Sequence, residues 1–182
     1  VTAIAGFTDG KTVWIGGDSA SVAGLYLTVR ANKKVFRVGD FLIGSAGSAR
    51  MNQVIQYGWT PPTIEENQDL HEFMVTKFID SLRERFKACG ISKKKEEVES
   101  VEGTLLIGYR GRLFKIFSDF QVGIPLAHYE AAGCGDDMCN GAFFAMKSLT
   151  VDPAVQVEIA LQAAEAHSGG VRGPFNILTL EG

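Results

Sequence analysis

Three tight turns constrain this chain more than anything else in it. Asp9-Gly10, Gly39-Asp40 and Arg110-Gly111 each sit between two short apolar runs. Each such pair reads as a hairpin, so its flanking strands must lie antiparallel. The paired strands are 2–7 with 12–16, 33–37 with 41–43, and 104–109 with 112–117. Leu70, Phe73, Met74, Phe78, Leu82 and Phe86 recur at helical spacing, predicting one long amphipathic helix over 70–89. A strand at 129–133 precedes a helix over 136–148. Asp152-Pro153 opens a further helix to His167 by N-cap and first-turn proline, and Gly169-Gly170 stops it. A strand at 175–180 closes the chain. The order is strands, two helices, strands, two helices, strand, with hairpins dominating. A doubly wound parallel sheet would alternate single strands with helices instead. The expectation is an α+β fold over residues 1–182 as a single domain. Its two antiparallel sheets pack face to face with helices on both outer sides, a four-layer αββα sandwich.

Two local readings accompany that frame. Gly44-Ser45-Ala46-Gly47-Ser48 follows a strand and is expected to open a helix carrying Met51, Val54 and Ile55. The charged run starting at Lys93 is expected to be a solvated loop.

Composition narrows the function. The 182 residues carry a net charge of −3 from mixed signs, with no basic stripe suited to nucleic acid. No apolar run approaches the roughly 20 residues of a membrane span. Cys89, Cys134 and Cys139 are sparse and odd in number, which fits a reducing, cytoplasmic setting better than a disulfide framework. Cys134 and Cys139 lack the second ligand pair of a zinc site.

Thr2 leads into the first strand. A threonine with a free α-amino group carries nucleophile and base in one residue, and that amine titrates near roughly 7.7–8.0. Val1 stands where an initiator methionine is expected, as a GTG start translated literally would show it. On that reading processing leaves Thr2 first, whereas a retained Val1 blocks the chemistry. Asp18 ends the second strand and Lys34 opens the third, each a candidate to lie beside Thr2. A lysine ammonium there favours the deprotonated hydroxyl and lowers the amine's proton affinity, and a carboxylate keeps the lysine charged. The glycines of 44–47 can expose N–H groups to an oxyanion. They lack the Gly-Lys-Ser/Thr of a phosphate loop.

Together these residues resemble the N-terminal-nucleophile hydrolases of the proteasome β-subunit and bacterial HslV type, over the whole chain. The intervals from Thr2 to Asp18 and from Asp18 to Lys34, 16 residues each, are those of that family. The resemblance implies Thr2 as nucleophile, Asp18 and Lys34 as its ion pair, and Gly44 as the oxyanion-hole glycine, with Gly47 as a second donor. Glu165-Ala-His-Ser168-Gly-Gly resembles the family's Asp-Ala-Tyr-Ser-Gly-Gly, and Cys134 occupies the place of a supporting serine. The same likeness implies substrate lying extended along Ser21, Val22 and residues 44–47. It lines the first pocket with Ala31, Asn32, Leu42, Ala46 and Arg50. It implies a structural cation on the carbonyls of Gln162, Glu165 and Ser168, and no required cofactor. It further implies a homo-oligomeric ring with an inner proteolytic chamber and, in the HslV branch that the short start favours, a hexameric AAA+ unfoldase partner.

Three functions remain on this reading. The first is a threonine peptidase acting on peptides or unfolded protein. The second is an amidohydrolase using the same chemistry on a small molecule. The third is a non-catalytic ring protein.

Overall fold

The computed structural model describes residues 1–95 and 98–182. The chain begins with β1 (Ala3–Thr8), β2 (Thr12–Gly17), β3 (Ala20–Ala23), β4 (Tyr26–Val29), β5 (Val35–Val38) and β6 (Phe41–Gly47). Helix α1 (Ala49–Gly58) follows. A long helix then runs as α2 (Leu70–Phe73), a π-helical turn (Met74–Phe78) and α3 (Ile79–Ala88). Five strands come next: β7 (Lys93–Lys95), β8 (Val98–Ser100), β9 (Gly103–Tyr109), β10 (Arg112–Ile116) and β11 (Val122–Gly123). The chain ends with β12 (Tyr129–Gly133), α4 (Asp136–Met146), α5 (Pro153–His167) and β13 (Asn176–Glu181).

One sheet has the order β12-β1-β2-β13 and the other β11-β10-β9-β6-β5, with every pairing antiparallel. Strand alternation sorts the side chains into three apolar layers. Phe36, Phe41 and Ile43 face α1 and the long helix, packing on Met51, Ile55, Phe78, Leu82 and Phe86. Val35, Leu42, Leu106 and Leu113 point the opposite way, meeting Ile4, Val13 and Ile15 between the sheets. Ala3 and Ala5, flanking Ile4, face α4 and α5 through Phe143, Val157 and Leu161. Three interfaces between four layers make the αββα sandwich. Phe73, Phe78, Phe86, Phe114 and Phe143 are fully buried, each contributing roughly 1.5–3 kcal/mol.

The structure corrects the sequence reading in three places. The strand of 41–43 runs on to Gly47, and α1 starts only at Ala49, where Ser48 Oγ caps it by accepting from Met51 N at 3.1 Å. Gly47 pairs with Gly103 of β9, and a Cβ on Gly47 would lie 2.7 Å from the Glu102 carbonyl and 3.1 Å from Gly103 Cα. Glycine is therefore required by the close strand approach rather than by a helix start. The long helix contains a π turn because its apolar residues recur every four positions from Met74 to Phe86. An ideal helix repeats every 3.6, and the wider turn helps to bring the stripe back onto one face. The run at Lys93 begins as β7, paired with β8, rather than as a loop; its two glutamates at 96–97 lie outside the described residues. The β3–β4 ribbon, with Ala20 opposite Val29, had no counterpart in the sequence reading.

Candidate active site

The strand ends converge at Thr2. Its neighbour Val1 is 61% exposed, yet Thr2 itself is only 4% exposed. By alternation Thr2 shares the side of Ile4, facing the space between the sheets. Gly133, at the end of β12, lies so near that a Cβ there would be 2.2 Å from the Thr2 carbonyl oxygen. Thr2 N donates to Cys134 Sγ at 3.4 Å, and Thr2 Oγ1 donates to the carbonyl of Val1.

Asp18 follows β2 and is 2% exposed. Its Oδ1 accepts from Lys34 Nζ at 2.7 Å and from Ala3 N at 3.0 Å. Its Oδ2 accepts from Ala20 N at 2.8 Å and from Arg172 N at 3.4 Å. One buried carboxylate thus ties β1, β3, the Lys34 ammonium and the segment before β13 together. Lys34 and Thr2 line one cavity of about 500 Å³, whose wall also includes Ser21, Val22 and Gly47.

Gly44 is elsewhere. It sits in mid-strand opposite Val35, and a Cβ there would lie 2.4 Å from Ile4 Cγ2. Ser45 N donates to Lys34 O at 2.9 Å. In an antiparallel pair N–H groups alternate in direction, so the Gly44 N–H turns toward β9. The Gly47 N–H, two residues beyond Ser45, points past the end of β5 on the cavity side. Leu42 is fully buried between the sheets, and Ala46 packs against Gly133. Neither they nor Ala31 and Arg50 line the cavity, whereas Asn32 does.

Cys134 Sγ is 3.7 Å from Ser168 Oγ, which accepts from Gly170 N at 3.4 Å. The Glu165 carboxylate is directed to residues 172 and 173. Its Oε1 accepts from Gly173 N at 3.0 Å, with Arg172 Nη1 at 3.8 Å. The second cysteine of this region is inert: burial, with Asp136 nearby, pushes the Cys139 thiol up to about 12. Among the described residues no cluster of three or more His, Cys, Asp or Glu could hold a metal ion. Gln162 is exposed on the last turns of α5, and the Ser168 carbonyl accepts from Val171 N at 3.2 Å.

Several wall residues escaped the sequence reading, among them Arg30, Asn52, Gln53, Gln56 and Tyr57. The four from α1 read in sequence as an ordinary solvated helix face, and nothing in their spacing marks a cavity.

No protein-family profile matches the chain, and no curated protein is similar to it in sequence. Solved structures are similar in shape. Thiobacillus denitrificans BPH in complex with epoxomicin superposes with a TM-score of 0.81 at 18% identity, covering 98% of both chains. The BPH structure titled without epoxomicin gives 0.81 at 19% identity, over 98% of this chain and 97% of that one. HslV from Trypanosoma brucei gives 0.72 at 19% identity, covering 99% of each. The fold is that of HslV. Among the described residues of this HslV-like chain no helix is long and apolar enough to cross a membrane.

Proposed function

We propose that this chain is a threonine peptidase whose nucleophile is Thr2, once Thr2 is the first residue. The observation that carries the reading is the convergence at Thr2 of the buried Asp18–Lys34 pair, 2.7 Å apart, on an HslV-like fold. The complex of BPH with epoxomicin supports it from a structure of the same shape.

Thr2 Oγ1 attacks the peptide carbonyl carbon, and its proton passes through water to the Thr2 α-amine. The Lys34 ammonium, paired with Asp18, favours the hydroxyl's deprotonation and lowers the amine's proton affinity, leaving more of it free to act as the base. The Gly47 N–H stabilises the tetrahedral oxyanion, a contribution of roughly 3–4 kcal/mol per donor in characterised sites. Collapse transfers the amine's proton to the leaving nitrogen and leaves an ester on Thr2. Water, deprotonated by the same amine, then attacks the ester and restores the hydroxyl. Cys134 and Ser168 hold the amine's position. While Val1 remains attached, the Thr2 nitrogen is an amide and no base is present.

The proposal extends to a homo-oligomeric ring in the cytoplasm, where its three free cysteines would stay reduced. Its substrate is peptide or unfolded protein, delivered by an AAA+ unfoldase. A hard cation would take oxygen ligands at the end of α5. The carbonyl of Glu165 lies in the last helical turn, where acceptors lack intrahelical donors. That of Ser168 has one lone pair left beside Val171 N. This cation would be structural, and magnesium or sodium should raise the melting temperature if it binds.

Intact mass and a peptide epoxyketone test the central claim. The reagent closes a ring with both amine and hydroxyl of one N-terminal residue. The expected result is a chain beginning at Thr2 that takes one adduct, lost in Thr2→Ala. A permanent Val1, or a mature chain that takes no adduct, overturns it.

A further inference from the structure

We propose that the cavity at Thr2 selects acidic side chains in the residues just before the scissile bond, an inference that rests on the peptidase reading above. Three cations line this cavity: Arg30, Lys33 and Lys34. Lys34 is paired with Asp18. Arg30 and Lys33 are exposed, and among the described residues neither has a carboxylate within 4 Å. Among the described residues no aspartate or glutamate lines the cavity. Two uncompensated positive charges therefore face whatever enters it.

The rest of the wall is mixed, with Ala20, Val22, Ala49 and Tyr57 set beside polar groups. From α1 come the carboxamides of Asn52, Gln53 and Gln56. A leucine seated here would desolvate those amides without pairing them, which is unfavourable. A glutamate or aspartate can accept from the amides and from both cations. A lysine would meet two like charges.

Each exposed charge contact changes an equilibrium only several-fold, but attraction of an acid and repulsion of a base act in opposite directions. The expected ratio of kcat/KM for a glutamyl over a lysyl peptide is about tenfold or more at low salt. It shrinks as salt screens charges separated by more than about 8–10 Å.

The test uses the mature, assembled protein and three fluorogenic peptides differing only in Glu, Leu or Lys before the scissile bond. Glu is expected to be cleaved fastest and Lys slowest. Raising salt should lower the Glu rate relative to Leu, and Arg30→Glu with Lys33→Glu should invert the Glu-to-Lys ratio. Both positions are on the surface, and the salt series on the unaltered protein gives an independent reading. Cleavage of Leu or Lys peptides as fast as Glu, with Thr2 labelled by the epoxyketone, overturns this inference and leaves the peptidase reading standing. Absence of both labelling and cleavage overturns both.

Discussion

Replacing Asp18 with Asn should destabilise the fold more than replacing Lys34 with Met, although the two residues form one ion pair. Asp18 accepts four hydrogen bonds at 2.7–3.4 Å while 2% exposed, from Lys34 Nζ and from the backbone of Ala3, Ala20 and Arg172. Asparagine keeps the shape but has one acceptor oxygen, so at least one donor is orphaned and the Lys34 ammonium loses its counter-charge. Breaking a largely buried pair in this way costs about 3–5 kcal/mol. For a chain of this length that lowers the melting temperature by about 10 °C. In Lys34→Met the remaining carboxylate keeps three backbone N–H partners, and charge-assisted bonds of this kind contribute about 1.5–3 kcal/mol each. The loss should therefore be about half as large. Urea unfolding of both single variants and the double variant, with slopes checked for constancy, measures these costs and the coupling between the residues. A cost below about 1 kcal/mol for Asp18→Asn, or a Lys34→Met cost equal to it, would refute the assignment of Asp18 as the common tie.

Three other predictions address the packing and the thiols. Gly44→Ala drives a methyl to 2.4 Å from Ile4 Cγ2 and 3.0 Å from Ile15 Cγ2, so it should cost about 1–3 kcal/mol in urea unfolding. Combining it with Ile4→Ala should be less than additive, and strict additivity would contradict direct contact between the two positions. Native protein should react with a thiol reagent at exposed Cys134 but only after unfolding at buried Cys139. The Cys139 thiol ionises near 9 when unfolded and about 12 when folded, so the folded state holds the extra proton between those values. Its contribution is complete below pH 9 and declines as pH rises through that window, by about 2 kcal/mol at a pH about 1.5 units into it. Cys139→Ala should lack this part of the alkaline decline, and identical pH profiles would rule the cause out.

The architecture was legible where the signals were local. Two-residue turns such as Asp9-Gly10 specify a hairpin from adjacent residues, and Asp152-Pro153 marks the start of α5 at the residue observed. The misreading at residues 44–47 has a non-local cause. Small residues there look like a breaker, but they exist because Gly47 must approach Gly103 on β9, which no neighbouring residue announces. The cavity wall was hidden for the same reason: the polar face of α1 becomes a lining only because Thr2 and Lys34 arrive opposite it. Asp18 and Lys34 were candidates from their places after β2 and before β5, and their pairing, implied by the family resemblance, joins elements of two different sheets at 2.7 Å.

Glu165 shows how residue type and side-chain direction part company. Its motif places it beside Ser168, yet its carboxylate reaches Gly173 N instead. The adjacent Arg172 N binds Asp18, while Arg172 O accepts from Ser19 N at 2.8 Å. Residues 172 and 173 are consequently gripped from opposite sides, by Glu165 on α5 and by Asp18 and Ser19 after β2. A carboxylate at 165 therefore acts on the site through backbone that touches the ion pair, without touching Thr2. Lengthening that side chain by one methylene is then compatible with an intact Asp18–Lys34 pair, because the extra reach is spent on Gly173.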